Sequence, residues 1–230
     1  MKPYWWLYAL AAVGWLALAA APGSHLHGGM AEGGLAAWAS LGEHAALSIA
    51  MVAVMTPLIA GNVRYAALRS PRRARFGVTL AVTAGWVSIW LVPAVGIAMA
   101  SWLAMVALGT VASIALVTIL AVGWQWSEAK RLSLTRCHRV FAPPLSPGRG
   151  RAASRCYGRD IGRSCVVSCV PFMALMAVSG HSVVVAVPVA GIAWYERWRR
   201  PHHDPARGLT SAAVAAVGVE AAAIAALGLG

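Results

Sequence analysis

A stripe of sulfur-bearing side chains runs along the fifth apolar segment of the chain. Its members are Cys165, Cys169, Met173 and Met176. Their spacing of i, i+4, i+8 and i+11 places all of them on one face of a helix. Thiolate and thioether are the ligands that Cu(I) prefers, whereas Mg²⁺ and Ca²⁺ require oxygen. The stripe therefore predicts a soft-metal site, with a copper ion as the bound metal.

A second stripe lies on the second apolar segment, where His44, Met51 and Met55 are spaced i, i+7 and i+11. Counted from the predicted outer end, Met55 and Cys169 both lie about 15 Å deep, at 1.5 Å per residue. Met51 and Met173 lie about 9 Å deep on the same count. We therefore predict that the two stripes face one another on antiparallel helices.

Imidazole groups add ligands near the predicted outer surface. His25 and His27 occupy a short stretch that contains no Lys or Arg, and His181 lies in a later connection. Imidazole binds borderline and soft metals. We predict a route of ligand exchange from these histidines and His44, through the methionines, to the two membrane cysteines.

Each of these residues also has a purely structural interpretation. Methionine at helical spacing commonly fills a core, and a buried cysteine behaves as a small apolar side chain. His25 and His27 could be solvated loop residues. Packing of the sulfur stripes therefore stays open as the alternative to metal binding.

The composition indicates an all-α membrane protein. Hydrophobic residues make up 60% of the chain and charged residues 11%, about half the charged share of a soluble domain. Apolar stretches of about twenty residues are long enough to span a bilayer. We predict a single integral membrane domain over residues 1–230 with about seven spanning helices. The candidate spans are 4–21, 45–68, 76–98, 100–123, 164–179, 182–195 and 209–229.

Lys and Arg fall on one side of that predicted membrane. By the positive-inside rule, the N-terminus is predicted to be cytoplasmic and the C-terminus outside. Segment 22–44 then becomes a periplasmic loop and segment 124–163 a basic cytoplasmic loop. Topology explains the net charge of +12, and the basic segment lacks the interleaved aromatic residues of a nucleic-acid platform. Nucleic acid is therefore excluded as a partner.

Two features of the backbone are predicted inside the spans. The third and fourth spans should meet near Ala98 as a tight helical hairpin, since scarcely any loop separates them. Pro57, Pro171 and Pro188 each remove a backbone hydrogen bond and can kink a helix.

Four motifs occur in order along the chain. They are Ala53-Val54-Met55-Thr56-Pro57, Trp124-Gln125 through Lys130 to Cys137-His138-Arg139, Cys165 through Cys169 to Met173, and Tyr195-Glu196-Arg197. As a set they resemble the bacterial predicted metal-binding integral membrane proteins, a domain family of unknown function. The resemblance implies metal ligands among these residues but supplies no mechanism.

The chain departs from that family at three positions, which hold Val54, Ser133 and Val170. Ser133 replaces a family cysteine four residues before Cys137. We therefore expect Cys137 and His138 to lack their nearest partner and to contribute little to metal binding.

The sequence favours a metal-binding protein of the bacterial inner membrane that serves copper handling, copper delivery or assembly of a copper protein. Its predicted partners are the lipid bilayer and either other membrane subunits or a periplasmic metal carrier. The alternative is an accessory subunit of a larger membrane complex without its own metal. No catalytic motif such as GxSxG or HExxH is present, so an enzyme is not favoured.

The predicted topology can be tested with reporter fusions. A reporter fused after Gly230 should be active only in the periplasm, because the last predicted span starts from an arginine-rich cytoplasmic connection and crosses to the side without cations. A reporter inserted at Gly148 should be active only in the cytoplasm. Activity on the opposite side for either fusion would contradict the topology.

Overall fold

The computed structural model of the protein describes residues 4–21, 34–138, 147–198 and 205–227. All regular structure in those ranges is helical, in agreement with the all-α prediction. The α-helices are α1 (Trp6–Ala20), α2 (Gly34–Val54), α3 (Ala60–Leu68), α4 (Arg75–Leu108), α5 (Thr110–Gln125), α6 (Glu128–Cys137), α7 (Pro147–Val178), α8 (Val183–Trp198) and α9 (Pro205–Ala226). Short 3-10 turns at Thr56–Ile59 and Arg72–Ala74 precede α3 and α4.

Within the described ranges, four helical stretches are long and apolar enough to cross a membrane. They are Trp38–Leu68, Arg72–Leu108, Gly150–Val178 and Arg207–Ala226. The pair α5 and α6 would add a fifth as one span bent by 69°, and α1 is apolar but shorter. The seven-span topology and the sides of the two termini stay predictions.

Helices extend into both segments that were predicted to be loops. α2 begins at Gly34, inside segment 22–44, while α6 and the first half of α7 lie inside segment 124–163. Those segments are therefore partly helical where the structure describes them. Their location outside the membrane stays a prediction.

α4 runs without interruption from Arg75 to Leu108, so the predicted hairpin at Ala98 is wrong. The residues around Ala98 are mainly Ala, Met and Leu, which are good helix formers, and Pro93 removes only one backbone bond. The chain breaks instead at Gly109. Its φ of 78° and ψ of 162° lie in a region that is essentially restricted to glycine.

Pro57 interrupts the second apolar segment and leads into the 3-10 turn before α3. A proline has no N–H for the carbonyl four residues earlier, which here belongs to Ala53. Thr56 Oγ1 lies 2.8 Å from that oxygen and 2.8 Å from the carbonyl oxygen of Leu7, and donates to both. The break is therefore satisfied locally and is also tied to α1.

Pro171 lies inside the continuous helix α7 and frees the carbonyl of Val167 in the same way. Trp124 at the end of α5 donates its indole N–H to that oxygen over 2.9 Å. A neighbouring helix thus supplies the donor that the proline removed, as apolar surroundings require. This bond explains why the chain carries a tryptophan at position 124.

α4 and α7 form the most extensive helix pair among the described residues. A Cβ on Gly158 would lie 2.0 Å from the carbonyl oxygen of Val82, and a Cβ on Gly85 would lie 2.2 Å from that of Arg155. Only glycine permits such close contact between two backbones. α4 therefore packs directly against the backbone of α7, the helix that carries the sulfur stripe.

The bundle has two chemically different ends. At the histidine end, α7 finishes and α8 begins, and a cavity there is lined by residues that include Leu18, Thr110, His181 and Ala225. At the basic end, α8 finishes beside the C-terminus of α6 and near Asn62. The sequence predicts that the basic end faces the cytoplasm.

The bond across Pro171 can be tested by a double-mutant cycle. Trp124→Phe should lower the free energy of unfolding by about 1 kcal/mol, because it leaves a carbonyl without a partner. Pro171→Ala restores the backbone N–H, so Trp124→Phe should cost less in that background. Unfolding in mixed detergent micelles would measure both costs, with the exposed Trp126→Phe as the control. An equal cost in both backgrounds would contradict this assignment.

Candidate metal centre

All members of the α7 sulfur stripe are buried. They are Cys165, Cys169, Met173 and Met176. The same continuous core contains Met51 and Met55 from the other predicted stripe. Both stripes therefore contribute to one interior, and the specific pairing of Met55 with Cys169 stays a prediction.

His44 and His181 meet at the histidine end. Their ring centroids lie 4.6 Å apart with the planes inclined by 72°, and both side chains are buried. His181 follows Gly180 in a turn where both residues have positive φ, and its N–H bonds to the carbonyl oxygen of Met176 over 2.9 Å. A positive φ is unusual for a residue other than glycine, and such a conformation persists only where the surrounding structure enforces it. The turn brings His181 against His44.

Three ring nitrogens of this histidine pair have no hydrogen-bond partner among the described residues. They are both nitrogens of His44 and Nδ1 of His181. Nε2 of His181 lies 3.1 Å from Ser48 Oγ. Buried polar atoms are normally paired, and leaving one unpaired costs about 1–3 kcal/mol. The unpaired nitrogens make His44 and His181 a candidate pair of metal ligands, since a neutral imidazole has one nitrogen without a proton.

Two cysteines meet near the basic end. Cys137 Sγ at the C-terminus of α6 lies 3.8 Å from Cys165 Sγ on α7, and both are buried free thiols. Two thiolates bound to one tetrahedral zinc ion at about 2.3 Å each lie about 3.8 Å apart. The separation therefore suits a shared metal ion. Cys169 follows one helical turn after Cys165, and its Sγ lies 3.5 Å from Ser168 Oγ.

The structure gives Cys137 a neighbour other than the missing family cysteine, while its share in metal binding stays a prediction. Sequence reasoning considered only position 133, which holds a serine, whereas the actual neighbour is Cys165 on another helix. α6 is bent by 69° from α5, and this bend places the end of α6 against α7. The Cys137-His138 motif was the available signal, but its partner is visible only in the folded chain.

A buried ion pair holds α6 in this position. Lys130 Nζ lies 2.9 Å from Glu196 on α8, and both side chains are buried. The same ammonium group lies 4.2 Å from the ring centroid of Phe172 on α7. Lys130 thereby connects α6, α7 and α8, the first two of which carry Cys137 and Cys165, referred to below as the thiol pair. Sequence reasoning missed this role, although Lys130 and Glu196 both belong to the motifs quoted above.

A second set of polar contacts surrounds Cys137. Asn62 donates to the carbonyl oxygen of Cys137 over 3.2 Å and to the hydroxyl oxygen of Tyr157 over 2.8 Å. Arg197 donates to the carbonyl oxygen of Leu58 over 3.1 Å and to Asn62 Oδ1. These contacts join α3, α6, α7 and α8. They fix the backbone that presents the Cys137 thiol.

His138 follows Cys137 at the end of α6. Partial burial, together with the positive charge of Arg197, lowers the pKa of His138 below its ordinary value. Its imidazole is therefore neutral at neutral pH, which is the form that can accept a metal or a hydrogen bond.

The described residues contain no group of three or more His, Cys, Asp or Glu side chains placed to hold an ion. The candidate sites are the histidine pair and the pair of Cys137 with Cys165, and the buried methionines of the core offer thioether groups. Structural zinc sites use four ligands, which neither pair provides alone. His25 and His27 lie outside the described residues.

A family model described as PpoB2, copper chaperone, matches residues 45–221. The match spans more than half of the chain. It includes the thiol pair, the methionines of both stripes and His181, and it begins one residue after His44. No curated protein and no solved structure matches the chain.

The thiol pair can be tested by mild oxidation. Treating the Cys156→Ser variant with diamide should link Cys137 to Cys165, because their sulfur atoms are already 3.8 Å apart. Peptide mass mapping would identify the link. Cys165→Ser should abolish it and serves as the control. Exclusive formation of a Cys165–Cys169 link would contradict the observed arrangement.

Proposed function

Since the chain belongs to the PpoB2 family of copper chaperones, we propose that it is an integral membrane chaperone that relays Cu(I) between its two ends. The observation that carries the proposal is the series of buried soft donors on α7 and the turn after it, from Cys165 to His181. Copper is the cargo of this relay.

The donors divide the path into short steps. Successive ligands along α7 are separated by four, four, three and five residues, from Cys165 to Cys169, Met173, Met176 and His181. Three to four residues of helix correspond to a rise of about 4.5–6 Å. A flexible methionine side chain can reach across such a step. An ion can therefore bind the next ligand before it leaves the previous one.

The order of ligand types favours movement over storage. In this proposal, thiolates at the basic end neutralise the charge of Cu(I) and imidazoles receive it at the histidine end. This direction is the reverse of the route predicted from the sequence. Neutral thioethers between them bind the ion without trapping it. Transport through a pore likewise requires binding strong enough for entry and weak enough for exit.

The proposal places the protein in the bacterial inner membrane, with the basic end in the cytoplasm. The histidine end then faces the periplasm, where His25 and His27 would extend the ligand series. A copper-requiring protein or a periplasmic metal carrier is the proposed recipient. The lipid bilayer covers the apolar faces of α4, which carry exposed side chains such as Val92 and Leu103.

Copper binding by purified variants tests the relay. Cys169→Ser should remove most bound Cu(I), since a hydroxyl is a poor ligand for a soft ion. Met55→Leu should weaken binding while keeping the fold, because this swap usually costs under about 1.5 kcal/mol. Competition with a chromophoric Cu(I) chelator would measure stoichiometry and affinity. Cys156→Ser, at an exposed thiol, is the matched control.

Full copper stoichiometry and affinity in folded Cys165→Ser and Cys169→Ser variants would contradict the relay. The sulfur stripe would then serve packing, as in an accessory subunit of a larger complex. Stable co-purification with such a complex, without metal, would support that other function.

A further inference from the structure

A cavity of about 340 Å³ opens at the basic end between α1, α3, α6 and α8. Its polar lining consists of Asn62, Cys137, His138 and Arg197, beside apolar and aromatic side chains. A volume of a few hundred Å³ fits a small molecule rather than a protein segment. The cavity is therefore a candidate ligand site that the relay itself does not require.

Arg197 gives this cavity an unbalanced positive charge. Its Nε and one terminal nitrogen donate to Leu58 and Asn62, which hold the guanidinium in place. The other terminal nitrogen, Nη1, is buried and has no partner among the described residues. None of the described residues that line the cavity is acidic. A fixed guanidinium with free N–H groups is suited to bind a carboxylate.

Cys137 connects the cavity to the copper path. It lines the cavity, and its sulfur also lies 3.8 Å from Cys165 Sγ. A ligand in the cavity would therefore contact a carboxylate-binding group and a soft-metal ligand at once.

We propose that the cavity receives Cu(I) as a complex with a small thiol that bears carboxylate groups. A carboxylate of the carrier binds Arg197, and the carrier sulfur lies toward Cys137. The bond between Cu(I) and the carrier sulfur breaks as a bond to Cys137 Sγ forms. The Cys137 thiol proton passes to the departing carrier thiolate, and copper stays Cu(I). This inference rests on the proposed relay and names the donor of its cargo.

Loading rates with different copper donors test the proposal. The full chain in lipid nanodiscs is mixed with Cu(I) complexed by glutathione, which has carboxylates, by 2-mercaptoethanol, which has none, or by acetonitrile. Glutathione should load the protein faster than 2-mercaptoethanol at equal free Cu(I). Arg197→Gln should slow loading from glutathione about tenfold, the loss expected for a charge-assisted hydrogen bond. The ratio of the glutathione rate to the acetonitrile rate should fall, and this ratio separates carrier binding from the role of Arg197 in holding the backbone at Cys137.

Two controls separate this role from a structural one. Arg163→Gln removes an exposed arginine that pairs with Asp160 away from the cavity, and it should leave every rate unchanged. S-Methylglutathione keeps the carboxylates but has no free thiol, so it should slow glutathione-dependent loading of the unmodified protein. This second measurement does not depend on how well an Arg197 variant folds.

Distinct results would overturn the inference and the relay. Equal loading rates from the two thiols, with no inhibition by S-methylglutathione, would overturn the proposal that the cavity binds a carboxylate-bearing carrier. Copper binding from acetonitrile in the same experiment would leave the proposed relay standing. Loss of the glutathione advantage in nanodiscs of anionic lipid, compared with zwitterionic lipid, would assign Arg197 to a lipid headgroup and also overturn it. Failure to bind copper from acetonitrile would overturn both.

Discussion

The buried ion pair between Lys130 and Glu196 determines where the thiols of Cys137 and Cys165 meet. α6 contains only ten residues, and a helix of that length has little stability of its own. Ser127 caps its start by accepting the N–H of Lys130, and the ion pair then anchors it to α8. Removing one member of such a pair leaves an uncompensated buried charge and costs about 3–5 kcal/mol. The contact of Cys137 with Cys165 depends on that anchor, because Cys137 is the last residue of α6.

The contacts of the prolines and glycines hold α7 in place without leaving unpaired carbonyl groups in the apolar interior. Pro57 and Pro171 would each leave a carbonyl without a donor, and Thr56 and Trp124 supply one. Glycines at the contact of α4 with α7 allow the two backbones to touch, which leaves little freedom for α7 to shift. A fixed helix keeps its ligands at constant spacing. In the proposed relay, the ion then moves by rearrangement of side chains along a fixed backbone.

Composition and the length of the apolar stretches predicted the helical class, and helical spacing predicted the common face of the sulfur residues. The predicted break between the third and fourth spans was misplaced, since neither Pro93 nor the small residues near Ala98 end a helix that neighbouring helices support. Gly109 is the residue that ends it, through a conformation that the sequence does not reveal. The contacts of His44 with His181 and of Cys137 with Cys165 join residues more than twenty positions apart. They follow from the turn at Gly180 and the bend before α6, which depend on tertiary packing.

The charges at the basic end affect the form in which copper can approach. A free Cu(I) cation entering there would be repelled by Arg197 and by the other arginines predicted on that side of the membrane. A complex with an anionic carrier reverses the sign of that interaction, so the same charges attract it. Once the carrier is displaced, the thiolates of Cys137 and Cys165 offset the charge of the ion beside Lys130 and Arg197. In the proposed loading step, the arginines that underlie the predicted topology thus also favour copper that arrives already bound to an anion.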